Sequence, residues 1–301
     1  MRIARFITAL GTPLQDDDRL HVAGLADHLD DQAAAGIDAL LVAGTMGMMP
    51  LLTEATWREL VTQSVTLARG RFELLIGATD LSTARALERV AFLNTIEGID
   101  GVVVMAPGLI KFAEAEYLAY FGALADASRR PLYLYDLEPL TGAHLSVATI
   151  GRLADHPNIA GIKLSSNVAK AAQLHLHLAG KPFRLILSEP VLSDMLFRHG
   201  YDEHLDGIYC VCPHWAAALA HAARQGDWDE AARWQARLSA IKELFQRNPF
   251  GPTFTGLMNL RGLEGRYAPR PLSVPDEAYL TRLRQYPIVC ELLAPTPVEP
   301  R

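Results

Sequence analysis

Eight short apolar runs, spaced about 25 to 35 residues apart, constrain this chain more than any other feature. They are FITAL at Phe6, DALLVAG at Asp38, ELLIG at Glu73, GVVVMAP at Gly101, PLYLYD at Pro131, NIAGIKLS at Asn158, FRLILSE at Phe183 and DGIYCV at Asp206. Each is rich in β-branched or aliphatic residues and short enough to be a strand buried on both faces. Between them lie amphipathic segments. In TEATWRELVTQSVTLARG, residues Trp57, Leu60, Val61, Val65 and Ala68 share one helical face, with Thr53 placed to cap the start and Gly70 the end. The next interval repeats this grammar from Ser82 through Leu87, Val90 and Ala91 to Gly98, and a later one carries Val147, Ile150 and Leu153 up to Pro157. Strand and helix alternate, and eight parallel strands are the number that closes a barrel.

An open doubly wound sheet would alternate too, but it would carry a Gly-x-Gly-x-x-Gly turn after the first strand, and GTPLQDD is not one. The expected fold is therefore α/β, a (β/α)8 TIM barrel over residues 1–224. A C-terminal helical region over 225–301 packs on it. WAAALAHAARQGDWDEAARWQARLSAIKELF reads as some thirty helical residues, followed by a helical or Pro-rich tail. Trp234, Leu238, Ile241 and Phe245 form an apolar stripe on that region, suited to the core of one chain or to a second subunit.

Composition narrows the function. At 301 residues, half of them apolar and 21% charged, the chain can bury a large core. A net charge of -6 without any basic run lacks the footprint of a nucleic-acid binder and leaves a small molecule as the expected partner. The opening MRIARFITALGTP has too short an apolar run for a secretory signal, and no segment reaches membrane-spanning length, so a cytoplasmic protein is expected. Cys210, Cys212 and Cys290 are too few for a disulfide framework and lack the second ligand pair of a zinc site.

Catalytic groups of such barrels sit at the C-terminal ends of strands. Of the five lysines, Lys111, Lys170, Lys181 and Lys242 fall in helices or loops, where a solvated charge is the default reading. Lys163 ends the sixth run and is expected to point into the barrel mouth. Burial there disfavours the ammonium, and only a free amine adds to a ketone, so Schiff-base chemistry follows. A structural lysine paired with a neighbouring carboxylate is the competing reading. Tyr135, ending the fifth run, would stand beside Lys163 and could move protons, although a packed aromatic is the simpler account of a lone tyrosine. The turn GTMGMMPLLT could cradle a carboxylate through Thr45 and successive N–H groups. Glu189, after the seventh run, reads first as a solvated loop carboxylate and second as a contact for a substrate hydroxyl or amine. Four histidines, His175, His177, His199 and His204, are assigned to helices or loops, which argues against a metal-dependent barrel hydrolase. The loops SEP and CVCPHW lack the glycines of a barrel phosphate site.

Together the opening TALGTPL, the turn GTMG before LLT, LYLYD leading to LTG, and GIKLSS resemble the dihydrodipicolinate synthase and N-acetylneuraminate lyase family of class I aldolase barrels, over almost the whole chain. The resemblance implies an imine-forming Lys163, a proton-relaying Tyr135 and a Thr45 hydroxyl linked to it. It also implies that Thr45 and Met46 offer backbone donors to the carboxylate of pyruvate or another small 2-keto acid, and that Ile208 lines the pocket from the eighth strand. No metal or organic cofactor is implied, and a homo-oligomer, dimer or tetramer, is. The chain departs from the pattern at Met46 and Met48, where the family turn has threonine and glutamate. Pro107, Gly108 and Leu109 replace a Pro-Tyr-Tyr segment, and Leu140 replaces an arginine that holds the second substrate's carboxylate. The expected reaction is thus an aldol, retro-aldol or dehydratase step on a 2-keto acid, with a partner less acidic than that of a true dihydrodipicolinate synthase. The alternative is an impaired family member that binds a 2-keto acid as a ligand.

Overall fold

Short, buried strands alternating with one-sided helices need cover on both faces of their sheet, and here the sheet gets it by closing on itself inside a ring of helices. In the computed structural model, which describes residues 4–165 and 167–294, β1 (Arg5–Ala9), β2 (Ala39–Val42), β3 (Glu73–Gly77), β4 (Gly101–Met105), β5 (Leu132–Asp136), β6 (Ile159–Ser165), β7 (Arg184–Ser188) and β8 (Glu203–Asp206) form a closed barrel in sequence order. All neighbours are parallel, β8 pairing back onto β1 with Thr8 opposite Asp206. The helices in chain order are α1 (Val22–Ala34), α2 (Glu54–Ala68), α3 (Thr83–Leu93), α4 (Glu114–Ala127), α5 (Glu138–Thr141), α6 (Val147–Leu153), α7 (Val168–His177), α8 (Ser193–Arg198), α9 (Ile208–Val211), α10 (Pro213–Gln225), α11 (Trp228–Arg247), α12 (Phe250–Leu260), α13 (Glu277–Leu283) and α14 (Pro287–Leu293). Among the described residues no helix is long and apolar enough to cross a membrane.

Side chains alternate across each strand, so one set fills the barrel and the other packs under the helices. Ile7, Leu41, Leu75, Val103, Tyr133, Tyr135 and Ile186 belong to the inner set, whereas Phe6, Leu40, Leu74, Val102 and Leu134 meet the helices. Helix α2 shows how the outer layer is pinned. Thr53 accepts a hydrogen bond from Thr56 N at 3.1 Å, and Trp57 is fully buried with its Nε1 donating to Gly77 O at 2.9 Å. At the N-terminal mouth of the barrel Arg5, Glu73, Arg184, Glu203 and the Tyr133 hydroxyl form a closed ionic plug. Arg184 donates to Glu73 at 2.5 Å, to both oxygens of Glu203 and to Tyr133 at 2.9 Å.

Two sequence expectations change here. The eighth strand is EHLD, not the apolar run that follows it; Ile208, Tyr209, Cys210 and Val211 form the helical turn α9 and are all buried. A run apolar on every side carries no period by which strand and helix can be told apart. His204 accordingly lies in a strand, pointing outward, with its ring 4.4 Å from that of Phe197 and its Nε2 3.1 Å from Tyr201 O. The long C-terminal helical segment is two helices, α10 and α11, broken at Gly226, whose φ of 75° caps the first. The stripe on α11 packs within the chain: Leu238 and Ile241 are buried in the main core, with Trp234 and Phe245 against it. The Pro-rich tail 295–301, like the last serine of GIKLSS, lies outside the described residues.

Candidate active site

The C-terminal ends of the strands surround a cavity of about 740 Å³. Its floor is built from two adjacent strands in register. Tyr135 of β5 lies opposite Lys163 of β6, so both side chains enter the barrel at one level, and the Lys163 Nζ sits 3.8 Å from the centre of the Tyr135 ring. The Tyr135 hydroxyl is 3.1 Å from Thr45 Oγ1, which reaches across from the turn after β2. Lys163 is only 5% exposed, yet among the described residues it makes no ion pair; its Nζ donates instead to Ser165 Oγ at 3.2 Å. The paired structural lysine is a different residue. Lys170 of α7, read from sequence as a solvated charge, is buried and donates to Asp136 Oδ2 at 2.8 Å, with Glu138 at 3.6 Å. Burial pushes the Asp136 carboxyl up, against the opposing hydrogen bond and charge of Lys170.

The turn carrying Thr45 is held tightly. Ala43 and Met48 both adopt positive φ, 54° and 56°, a conformation costing a β-carbon about 1–2 kcal/mol. Thr12 Oγ1 donates to Gly47 O at 2.7 Å, and a Cβ on Gly47 would come within 2.9 Å of Leu10 O, so this position must be glycine. Internal bonds run from the N–H groups of Met48 and Met49 to Thr45 O and Gly44 O, which leaves the N–H groups of Thr45 and Met46 unused by the turn itself. The Met46 side chain lies against Gly207, where any side chain would overlap its sulfur.

The mouth of the cavity is largely apolar, with Met48, Leu51, Leu137, Leu140, Val191, Phe245 and Phe250 among its lining residues. Leu140, on the short helix α5, is 68% exposed at this rim. Ile208 lines the cavity as well, but from the first turn of α9 rather than from the eighth strand. Glu189 follows β7 directly and is half-buried in the wall, not a solvated loop carboxylate. Burial pushes its carboxyl up, the charge of Asp206 adds to this, and Lys242 opposes it.

Five polar lining residues had no site role in the sequence reading: Ser165, Ser188, Asp206, Lys242 and Gln246. Ser165 lies two residues beyond Lys163, so the period of a strand already put it on the same inward face. Asp206 ends β8, accepting from Ser188 Oγ at 2.7 Å and from Ile208 N at 3.1 Å. Asp206 opens the run expected to be the eighth strand but is in fact the last residue of β8, whereas Ser188 ends β7, inside the seventh run. Lys242 belongs to α11 and comes to the cavity solely through tertiary packing.

Comparison with known proteins agrees with this fold. Residues 2–286 match the Dihydrodipicolinate synthetase family. The chain is 32% identical over 282 residues to a 4-hydroxy-tetrahydrodipicolinate synthase from an Exiguobacterium species, covering 91% of this chain and 94% of the relative. It is 30% identical over 281 residues to the enzyme of that name from Gluconacetobacter diazotrophicus, covering 93% and 94%. Among solved structures, YagE, a prophage protein of the dihydrodipicolinic acid synthase family from E. coli K12 in complex with pyruvate, superimposes with a TM-score of 0.88 at 26% identity over 96% of this chain and 98% of its own. The dihydrodipicolinate synthase of Aquifex aeolicus shares the fold at a TM-score of 0.85 and 22% identity, over 94% and 96% of the two chains. These relatives carry the synthase name, so the expected departure from that activity gains nothing from them and rests on Leu140, Leu109 and Met48 alone.

Proposed function

The chain belongs to the dihydrodipicolinate synthetase family, whose members are lyases of the class I aldolase type, and on that premise we propose that Lys163 forms a Schiff base with pyruvate or another small 2-keto acid. One observation carries the reading. The lysine at the floor of the strand-end cavity packs on the face of Tyr135, whose hydroxyl in turn meets Thr45, and among the described residues no carboxylate neutralises the amine.

In this mechanism the keto acid seats its carboxylate on the N–H groups of Thr45 and Met46, an arrangement in which oriented backbone dipoles hold an anion. The free amine of Lys163 adds to the ketone carbon to give a carbinolamine. Tyr135, held in place by Thr45, passes one proton from the amine to the carbonyl oxygen and then gives its own to the departing hydroxyl, so that water leaves and the tyrosine remains as a phenolate. The resulting iminium withdraws electrons from the adjacent carbon. The Tyr135 phenolate takes a proton from that carbon to give an enamine, the enamine attacks an aldehyde whose oxygen then takes the proton from Tyr135, and the reverse sequence cleaves the same bond. Ile208 packs the inner wall, while Glu189 and Leu140 face the second substrate.

Incubation with pyruvate and borohydride, followed by mass spectrometry of the digested protein, tests this. A reduced pyruvate adduct on Lys163 is the expected result. Failure to find one with any of a panel of 2-keto acids would rule the mechanism out. An adduct without turnover of any aldehyde would favour a protein that binds a keto acid as a ligand, a reading motivated by Leu109 standing where the family pattern has a relay tyrosine.

A further inference from the structure

We propose that Lys242 is the specificity-determining residue for the second substrate, holding an anionic group on a short-chain aldehyde at the cavity mouth. This deepens the reading above and rests on it.

Three observations converge. Lysine occurs twice in the cavity lining, as Lys163 at the floor and Lys242 at the rim, and no arginine lines it. Lys242 shares the cavity-facing side of α11 with Phe245 and Gln246, at the three- and four-residue spacing of one helical face. It is half-buried there, and among the described residues it makes no ion pair. Its own helix supplies the contrast, because every arginine of α11 is paired: Arg233 with Glu230, Arg237 with Glu291 at 3.0 Å, and Arg247 with Glu243. A partly desolvated ammonium left without an anion is costly and seldom retained without a partner. Glu189 on the same wall feels its charge but stands beyond ion-pairing distance.

The rim between floor and Lys242 is apolar at Leu137, Leu140, Val191 and Phe250, which suits the methylenes of a chain joining an aldehyde to a terminal carboxylate. Lys242 thus supplies from the β7 side of the mouth a cation that Leu140 cannot supply from the β5 side. It takes no part in bond making. The enamine carbon attacks the aldehyde carbon, and Lys242 only places that aldehyde. Leucine at position 140 therefore does not by itself exclude an acidic partner, as its sequence reading implied.

The test uses the full chain with Lys163 capped by pyruvate and borohydride. Binding of 4-hydroxybutanoate and of neutral butane-1,4-diol is followed by ligand-observed NMR in the wild type, Lys242→Met and Lys242→Arg. Lys242→Met should weaken the acid about tenfold and leave the diol within about twofold, with Lys242→Arg restoring most of the loss. Equal effects on acid and diol, or no effect on the acid, would overturn the proposal. The mass spectrum of the capped protein reports on the Schiff base separately. Were Lys163 unmodified, that reading would fall; a Lys242-dependent preference for acid over diol in the uncapped protein would still support the anchor, and its absence would still refute it.

Discussion

Tyr135 and Ser165 both stand close to the Lys163 amine, but they are placed to do different things. The Tyr135 hydroxyl is backed by Thr45 at 3.1 Å, an arrangement that orients a proton donor, and general acid–base groups contribute about 10²- to 10⁴-fold to rate. Tyr135→Phe should therefore lower kcat by about that factor while the borohydride adduct still accumulates slowly. Steady-state kinetics beside a trapping time course would reveal a purely structural role as an unchanged kcat. Ser165 Oγ accepts from Lys163 Nζ at 3.2 Å and aims the amine without a chain of further donors behind it. One net hydrogen bond is worth about 1 kcal/mol, so Ser165→Ala should slow adduct formation by about fivefold to tenfold. A loss as large as that of Tyr135→Phe would show that the serine moves protons as well.

At the scale of elements, the barrel is closed chemically at one end and left open at the other. The first residues of β1, β3, β7 and β8, namely Arg5, Glu73, Arg184 and Glu203, meet in the ionic plug. Burial pushes the Glu73 carboxyl up, but hydrogen bonds and charge from Arg184 and Arg5 outweigh it and hold the group below its usual range. Arg184→Met would leave Glu73 and Glu203 facing each other with only Arg5 between them. Breaking a buried pair costs about 3–5 kcal/mol, and partial exposure of this one reduces the expected loss to about 2 kcal/mol. Urea unfolding would measure it, and an unchanged midpoint would mean that water already screens the plug. The buried pair of Asp136 and Lys170 plays a related part nearer the site, tying the end of β5 to α7 directly beside Tyr135.

Across the whole molecule, stability should depend on pH through two histidines far from the cavity. Burial pushes His204 down to about 3, and burial with the Arg261 charge pushes His28 to about 3. Both bind a proton in the unfolded chain near 6.5 but resist it when folded. Their contribution is thus complete above 6.5 and is lost as pH falls from there towards 3, about 2 kcal/mol for each by pH 5. Unfolding free energies at pH 8 and pH 5 should differ by that sum more in the wild type than in a His28→Gln, His204→Gln double variant; parallel curves would contradict it. Self-association is also expected. Leu109 is 88% exposed and Ile110 71%, and Leu51 and Leu81 are exposed in the segments that follow β2 and β3, large apolar side chains that the chain itself leaves uncovered at this end of the barrel. Light scattering should give two or four times the 33.0 kDa chain mass, falling to one chain with Leu109→Asp and Ile110→Asp, and a monomeric wild type would refute the expectation.

How much of this was legible before the structure follows from what a linear pattern can carry. Strand period, helix period and run spacing are local, so the number of strands, the places of seven of them, their closure and the candidacy of Lys163 and Tyr135 could be read from the chain alone. The same period also pointed to Ser165. What the sequence could not carry was anything set by packing between distant segments. IYCV is apolar on all sides, so only its burial against the C-terminal helices decides that it is a helical turn and that EHLD is the strand. Lys170 and Lys242 look alike as helical lysines. Yet tertiary structure buries one against Asp136 and brings the other, without an ion pair among the described residues, to the mouth of the cavity, because a side chain's charge partner is fixed by which helix face meets which strand end and not by its own neighbours in sequence.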